Sequence, residues 1–202
     1  MADHDLDPRA QALLTTWFGA EGDDLGEVSQ RWWTKDPAFD ARLRDQFGDL
    51  IVFGAAGGLS DWERSPEGTL ALILLLDQVS RNIWRGSPRS FAQDASAREL
   101  AHRALARGDD RMLAPERRAF VYMPFMHSEQ LADHATALER FEALEVAARG
   151  TPAESLVANN LKYQRMHTAI IRRFGRYPHR NEVLGRASSA GEAAYVEEHG
   201  GF

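Results

Sequence analysis

A cluster of cationic residues stands out towards the C-terminal end of this chain. The ten residues RRFGRYPHRN, positions 172–181, include four arginines and one histidine, whereas the whole chain has a formal net charge of −6. Gly175 predicts the end of a helix, so Arg176, His179 and Arg180 are expected on a loop. Arginine binds carboxylates and phosphates through two parallel hydrogen bonds, and histidine can donate a proton. The pattern predicts a site for a small anion.

A second group of polar residues follows the most apolar run of the chain. Residues 70–76, LALILLL, are apolar on every side of a helix, which is typical of a buried helix. Asp77 and Arg81 follow that run one turn apart and can pair. A structural ion pair would explain these two residues. It explains less well why further polar residues, including Arg85, crowd the end of this helix, and that crowding favours a functional site.

A third group lies at a break between two helices, in the segment YMPFMHSEQ at residues 122–130. Glu129 is expected in a first helical turn, where the helix dipole favours a carboxylate whatever its further role. His127 has no such structural reason, and its ring is expected to face the same interior as Asp77. Buried carboxylates and histidines near arginines have displaced pKa values and suit acid–base chemistry. The predicted catalytic residues are Asp77, His127, Glu129 and His179.

Capping signals predict that helices carry all of these residues. A Ser, Thr or Asp cap or a proline in the first turn indicates eight helix starts, at residues 7–8, 36–37, 65–66, 94, 115, 128, 151–154 and 189–192. No stretch has the alternating pattern of strands, and short connections predict antiparallel helical hairpins. Asn181 is expected either in the anion site or as the cap of the segment EVLGR. We predict an all-α fold in a single compact domain over residues 1–202, with a short flexible N-terminus at residues 1–6.

Composition and missing motifs exclude several classes of function. The chain has no cysteine, which excludes disulfides, thiolate nucleophiles and cysteine-ligated metals. Its acidic balance argues against a nucleic-acid-binding face, and its longest apolar run is far shorter than the ~20 residues of a membrane span. Its first residues do not resemble a secretory signal, so we expect a soluble, cytoplasmic protein. The chain has no glycine-rich phosphate-binding loop, no GxSxG motif of a serine nucleophile and no HExxH zinc-binding motif. Neither a metal site nor a cofactor is predicted.

Three segments together carry a family resemblance: LALILLLDQVSRNIWRG, YMPFMHSEQLAD and IIRRFGRYPHRNEVLGR. In this order they resemble the bacterial and fungal family catalogued as domain of unknown function 924, and the resemblance runs from about Trp17 to Tyr195. Members of that family often have Phe-Pro at the positions of Val79 and Ser80, and Gln at the position of His134. The resemblance implies a tetratricopeptide-like, right-handed array of helical hairpins. It implies no particular activity.

The sequence leaves two functions and one structural explanation open. The first function is a small-molecule site between helices that binds a carboxylate- or phosphate-bearing ligand, with hydrolysis or transfer by acid–base chemistry. The alternative is a tetratricopeptide-like module that binds a peptide or partner protein without catalysis. The structural explanation is that the polar cluster only locks helix packing, which predicts paired arginines and no cavity. The predicted ligand-binding residues are Arg81, Arg85, Arg176, Arg180 and Asn181.

Overall fold

The computed structural model describes residues 6–201, and this part of the chain forms nine helices and no strand. The helices are α1 (Pro8–Phe18), α2 (Leu25–Trp33), α3 (Pro37–Ala55), α4 (Pro66–Leu74, continued by a π-helical turn at Leu75–Val79 and a last α-helical turn at Ser80–Ile83), α5 (Asp94–Arg107), α6 (Pro115–Met126), α7 (Leu131–Ala148), α8 (Glu154–Phe174) and α9 (Ala190–His199). Short 3₁₀ turns occur at Ser60–Arg64, Pro88–Phe91, Asp109–Met112 and Pro178–Arg180. The all-α prediction is confirmed.

Helix α4 runs through the middle of the molecule. Every residue from 68 to 80 is buried, because the helix packs against α1, α3, α5 and α6. This explains why LALILLL has no polar side. The helix widens into the π turn where the polar residues begin, so Asp77 lies at a local irregularity of the most buried helix.

The remaining helices complete one large apolar core. Consecutive helices from α5 to α8 pack against one another in pairs, as short connections predicted. A small second cluster joins Ile170, Ile171 and Tyr177 to the half-buried Phe174 and Tyr195, which attaches the C-terminal segment to the end of α8. Within residues 6–201 no helix is long and apolar enough to cross a membrane.

Several helix boundaries follow the predicted capping signals. Asp7 and Asp36 cap α1 and α3 ahead of a proline, and Ser65 caps α4 in the same way. Ser189 and Glu192 form both hydrogen bonds of the predicted capping box at α9. Of the predicted flexible N-terminus, residues 1–5 lie outside the described residues, and Leu6 packs partly buried against the core.

Other boundaries differ from the prediction. Helix α2 was not predicted, although Asp24 caps it. Asp94 was predicted as a cap but is the first residue of α5, and its carboxylate binds two arginines instead. The predicted box at Thr151 and Glu154 does not form at the helix start. Thr151 donates to the carbonyl of Ala148, and Glu154 accepts from the N–H of Gly150, so both side chains close the turn before α8.

Candidate functional site

The centre of the site is a buried carboxylate–imidazole pair. Asp77 Oδ1 accepts a hydrogen bond of 2.7 Å from Nδ1 of His127, and Oδ2 accepts one of 2.5 Å from Gln78. Arg81 Nη2 lies 3.5 Å from Asp77 Oδ1. Because a carboxylate only accepts, His127 carries its proton on Nδ1 and keeps a lone pair on Nε2. The predicted pairing of Asp77 with Arg81 and the predicted inward direction of His127 are confirmed.

Two arginines from distant parts of the chain share one aspartate beside this pair. Asp94 Oδ1 accepts from Arg81 Nη1 at 2.9 Å, and Oδ2 accepts from Arg180 Nη1 at 3.2 Å. Arg81 also donates to the carbonyl of Ser90 at 2.9 Å. The guanidinium groups of Arg81 and Arg180 lie 5.5 and 4.7 Å from the ring centroid of Phe91. The site is therefore assembled from α4, α5 and the segment after α8.

A second ion pair ties the C-terminal segment to the turn before α7. Glu129 accepts hydrogen bonds of 2.7 and 2.9 Å from Arg186 and one of 2.8 Å from the N–H of Tyr177. Arg186 also binds the carbonyl of Tyr177, and the Tyr177 hydroxyl donates to the carbonyl of Met126. Burial raises the pKa of Glu129, but the hydrogen bonds from Arg186 and Tyr177 outweigh that effect and lower it. Glu129 is therefore an ionised anchor with most of its lone pairs in use.

A cavity of about 350 Å³ opens at the meeting point of these groups. Its charged and polar lining is Asp94, Arg98, His127, Ser128, Glu129 and Arg180, and its apolar lining is Pro88, Phe91, Ala92, Ala95 and Leu184. The cavity is at the small end of ligand sites, which measure roughly 300–1,000 Å³. No three His, Asp or Glu residues between positions 6 and 201 are arranged to hold a metal ion.

His127 belongs to the lining of this cavity. Its Nδ1 is used by Asp77, and its Nε2 makes no hydrogen bond with the described residues. Burial lowers the pKa of His127, and Arg81 adds to that effect while Asp77 opposes it. The net direction is downward, so the imidazole is neutral at pH 7 and can act as a base. This geometry corresponds to a histidine base oriented by a carboxylate.

Ser128 lines the cavity but is not hydrogen-bonded to His127. Its hydroxyl donates to Asp133 Oδ2 at 2.6 Å and accepts from the N–H of Gln130 at 3.0 Å. Asp133 Oδ1 lies 3.1 Å from His102 Nε2, and the carbonyl of Ser128 accepts from His134 Nε2 at 2.8 Å. These contacts fix the turn that carries His127. They give Ser128 a structural role and no base for nucleophilic chemistry.

Six of the predicted site residues are not part of the cavity lining, and four of them contact other parts of the protein. Arg85 pairs with Asp40 of α3 at 2.7 Å, and Arg176 pairs with Glu192 of the α9 capping box at 2.6 Å. Asn181 accepts from Arg186 and donates to Ser188, so it neither caps EVLGR nor reaches the cavity. His179 lies against the Tyr177 ring, with ring centroids 5.4 Å apart, beside the cavity. Asp77 and Arg81 form the layer behind His127 and Arg180.

Several residues that build the site were not predicted from the sequence. Asp94, Phe91 and Arg98 lie in a stretch that carries no unusual charge pattern, so only the fold shows that they line the same cavity as Arg180. Arg186 is the last residue of the third segment that carries the family resemblance, so the sequence did contain a signal for its role in the site. Tyr177 lies inside the arginine cluster. The prediction considered only the charged residues there and missed the buried Tyr177 ring, whose centroid lies 4.4 Å from the guanidinium carbon of Arg180.

Comparison with known proteins places these residues in a wider context. A family model for a bacterial protein of unknown function, DUF924, matches residues 13–200, which include every residue of the site. The chain is similar to a protein of unknown function from Agrobacterium tumefaciens whose structure has been solved, with 34% sequence identity and a TM-score of 0.78. The similarity covers 94% of this chain and 97% of that one. No curated protein matches.

Proposed function

This chain belongs to the DUF924 family of bacterial proteins of unknown function, as its three segments predicted, and we propose that it binds a small anionic molecule in the cavity and acts on it by acid–base chemistry. The reaction class is hydrolysis or transfer on a carboxylate- or phosphate-bearing compound. His127 is the group that takes or gives the proton, Asp77 orients it, and Arg180 holds the anion.

The observation that carries this proposal is the single unused nitrogen of His127 at the wall of a cavity that also presents a buried arginine. An imidazole with one nitrogen bound to a buried carboxylate is fixed in one tautomer and one orientation, which favours proton transfer at the other nitrogen. Packing alone would account for the paired arginines. It would not account for the open space beside them.

Binding is tested first, by titrating the protein with acetate and inorganic phosphate while following the imidazole signals of His127 by NMR. Arg180→Lys should lose most of the response, because lysine cannot reproduce the guanidinium fork. Arg165→Lys is the matched control, since Arg165 forms an exposed pair with Glu142 away from the cavity. Failure of both anions to move the His127 signals would contradict the proposal.

Catalysis is tested with a panel of nitrophenyl esters, phosphate esters and anilides. For any compound that turns over, His127→Gln should reduce kcat by about 10²–10⁴-fold, the usual contribution of general acid–base catalysis. His199→Gln, which changes an exposed histidine, should leave the rate unchanged. Equal rates in the wild type and His127→Gln would remove His127 from the chemistry and leave a binding site only.

The same proposal includes a right-handed, tetratricopeptide-like order of the hairpins and a cytoplasmic location. Support for the first is the pairwise packing of consecutive helices from α5 to α8. The alternative function, a peptide-binding module without catalysis, would use exposed apolar side chains such as Tyr163 and Met166 on α8. If anions fail to bind, that alternative is the one to test.

A further inference from the structure

The charges around the cavity are already in balance. The lining contains two acids, Asp94 and Glu129, and two arginines, Arg98 and Arg180, and His127 is neutral. Each acid accepts hydrogen bonds from an arginine, so no lining acid is left without a cation. A ligand therefore enters a site of near-zero net charge. Each additional negative charge on it meets two carboxylates at short range.

The two lining arginines differ in burial and in how much of each guanidinium is already hydrogen-bonded. Arg98 Nε lies 3.6 Å from Asp133 Oδ2, and with the Gln130 amide turned so that its oxygen faces Arg98, that oxygen accepts from both terminal nitrogens at 2.8 and 3.2 Å. Arg180 uses Nη1 for Asp94, while its buried Nε and its Nη2 make no hydrogen bond with the described residues. Arg180 is only 7% exposed, so these donors are held in place by the fold. Because Nε is buried, Nη2 is the donor of Arg180 that remains for a carboxylate oxygen.

About half of the residues that line the cavity have apolar side chains. These residues are Pro88, Phe91, Ala92, Ala95 and Leu184. Burial of apolar surface contributes about 0.8 kcal/mol per methylene, which is roughly a fourfold change in affinity. A ligand that places its charge on Arg180 gains further affinity only if its remaining part is apolar.

We infer that the ligand class of this site is a small monocarboxylate with an apolar tail. The carboxylate binds Nη2 of Arg180, and the tail lies along Phe91 and Leu184. The inference rests on the proposed function, because it names the ligand of the same cavity. It differs from that proposal in excluding dianionic and zwitterionic head groups as the preferred class.

The test is calorimetric titration of the full chain at pH 7.5 with acetate, propanoate, butanoate and pentanoate. The dissociation constant should fall by about fourfold for each added methylene until the cavity is filled. Pentanoate should bind at least tenfold more tightly than pentanamide, propyl phosphate or norvaline, which present a neutral, a mainly dianionic and a zwitterionic head group on similar tails. Leu184→Ser should flatten the dependence on chain length. Val146→Ser, on the exposed face of α7, is its matched control.

The outcomes separate this inference from the proposed function. Tighter binding of propyl phosphate or norvaline than of pentanoate, or affinities independent of chain length, would overturn the inference while anion binding itself stands. If no compound of either series binds at about 10 mM, which is near the weak end of measurable affinity, both the inference and the proposed function are overturned. The test requires no substitution of the buried Arg180, whose loss could unfold the protein. Leu184 is only partly buried, so its variant keeps the test readable.

Discussion

Asp77 is a buried carboxylate whose three side-chain neighbours each supply a proton donor or a positive charge. Burial alone would raise the pKa of Asp77, but the interactions with His127, with the positive charge of Arg81 and with the Gln78 amide lower it to about 2. The group is ionised throughout the physiological range. It therefore acts as a fixed acceptor for His127 and as the counter-charge of Arg81.

Asp77→Ala should lower the free energy of unfolding by about 3–5 kcal/mol, because it leaves Arg81 buried with one partner fewer. Urea unfolding monitored by circular dichroism measures this change. Asp61→Ala is the matched control: Asp61 also pairs with an arginine close by in the sequence, Arg64, but both side chains are exposed, and the loss should stay under about 1 kcal/mol. A loss of less than about 1 kcal/mol for Asp77→Ala would show that the pair adds nothing to the fold.

Residue types and helical spacing were sufficient to predict part of this site. Asp77 and Arg81 are one turn apart on a helix that must be buried, and His127 sits at a helix break without a surface role, so each could be placed from local rules. Asp94 could not, because its carboxylate faces arginines 13 and 86 positions away in the chain. Arg176 was misplaced because its partner, Glu192, belongs to a capping box that the charge pattern of the loop does not reveal.

At the scale of the elements, the contact between α4 and the 3₁₀ turn at Ser60–Arg64 fixes where the central helix begins. A Cβ placed on Gly68 would lie 2.1 Å from the carbonyl oxygen of Trp62, which is closer than any real contact. Glycine at this position lets the turn lie directly on the helix. Because the oxygen of Trp62 belongs to the backbone, no movement of a side chain can relieve this contact.

Gly68→Ala should therefore destabilise the protein by several kcal/mol, about the upper range of single substitutions, because α4 and the turn must separate. Gly191→Ala provides the comparison, since it also replaces a helical glycine, and no atom lies within 4 Å of the added Cβ. That change should be neutral or stabilising by up to about 1 kcal/mol, the helical preference for alanine over glycine. The two melting temperatures measured side by side check the prediction, which fails if they shift in the same direction.

Local sequence signals predicted some helix starts correctly and others wrongly, and the difference has physical reasons. A side-chain cap followed by proline, as at Asp36, has few alternative conformations and was predicted correctly. Thr151 and Glu154 have the spacing of a capping box, but tertiary packing starts α8 at Glu154 and leaves both side chains to the preceding turn. Helix α2 was missed because its start at Asp24 lacks a proline and lies in a polar stretch.

At the scale of the whole molecule, buried histidines gather around Tyr177 where the C-terminal segment joins the helices. The rings of His134, His167 and His179 lie 5.4–6.3 Å from the Tyr177 ring, centroid to centroid. Burial lowers the pKa of all three, to about 3 for His167 and about 4 for His179, and hydrogen bonds or acids only partly oppose this. They are neutral in the folded protein at pH 7.

Stability should consequently decline as the medium is acidified. The unfolded histidines take up protons below their ordinary pKa of about 6.5 and the folded ones do not, so stability is complete above pH 6.5 and is lost as pH falls towards 4 and then 3. Each histidine contributes up to about 1.4 kcal/mol per pH unit in this window. Urea unfolding between pH 7 and 5 measures the slope. His167→Gln should reduce it, His199→Gln should not, and a flat wild-type profile would contradict the assignment.

The π turn at Leu75–Val79 also has a consequence for insertions and deletions. Such a turn closes with one residue more than an α-helical turn, and each residue corresponds to about 100° of rotation about the axis. Removing one residue from it would let the helix run on as regular α without changing the phase of its last turn, so Asn82 and Arg85 should keep their bonds to Asp40. The deletion of Gln78 should therefore give a folded protein in which Asp77 has turned away from His127. Deleting one residue would therefore separate the packing role of this helix from its role in holding His127.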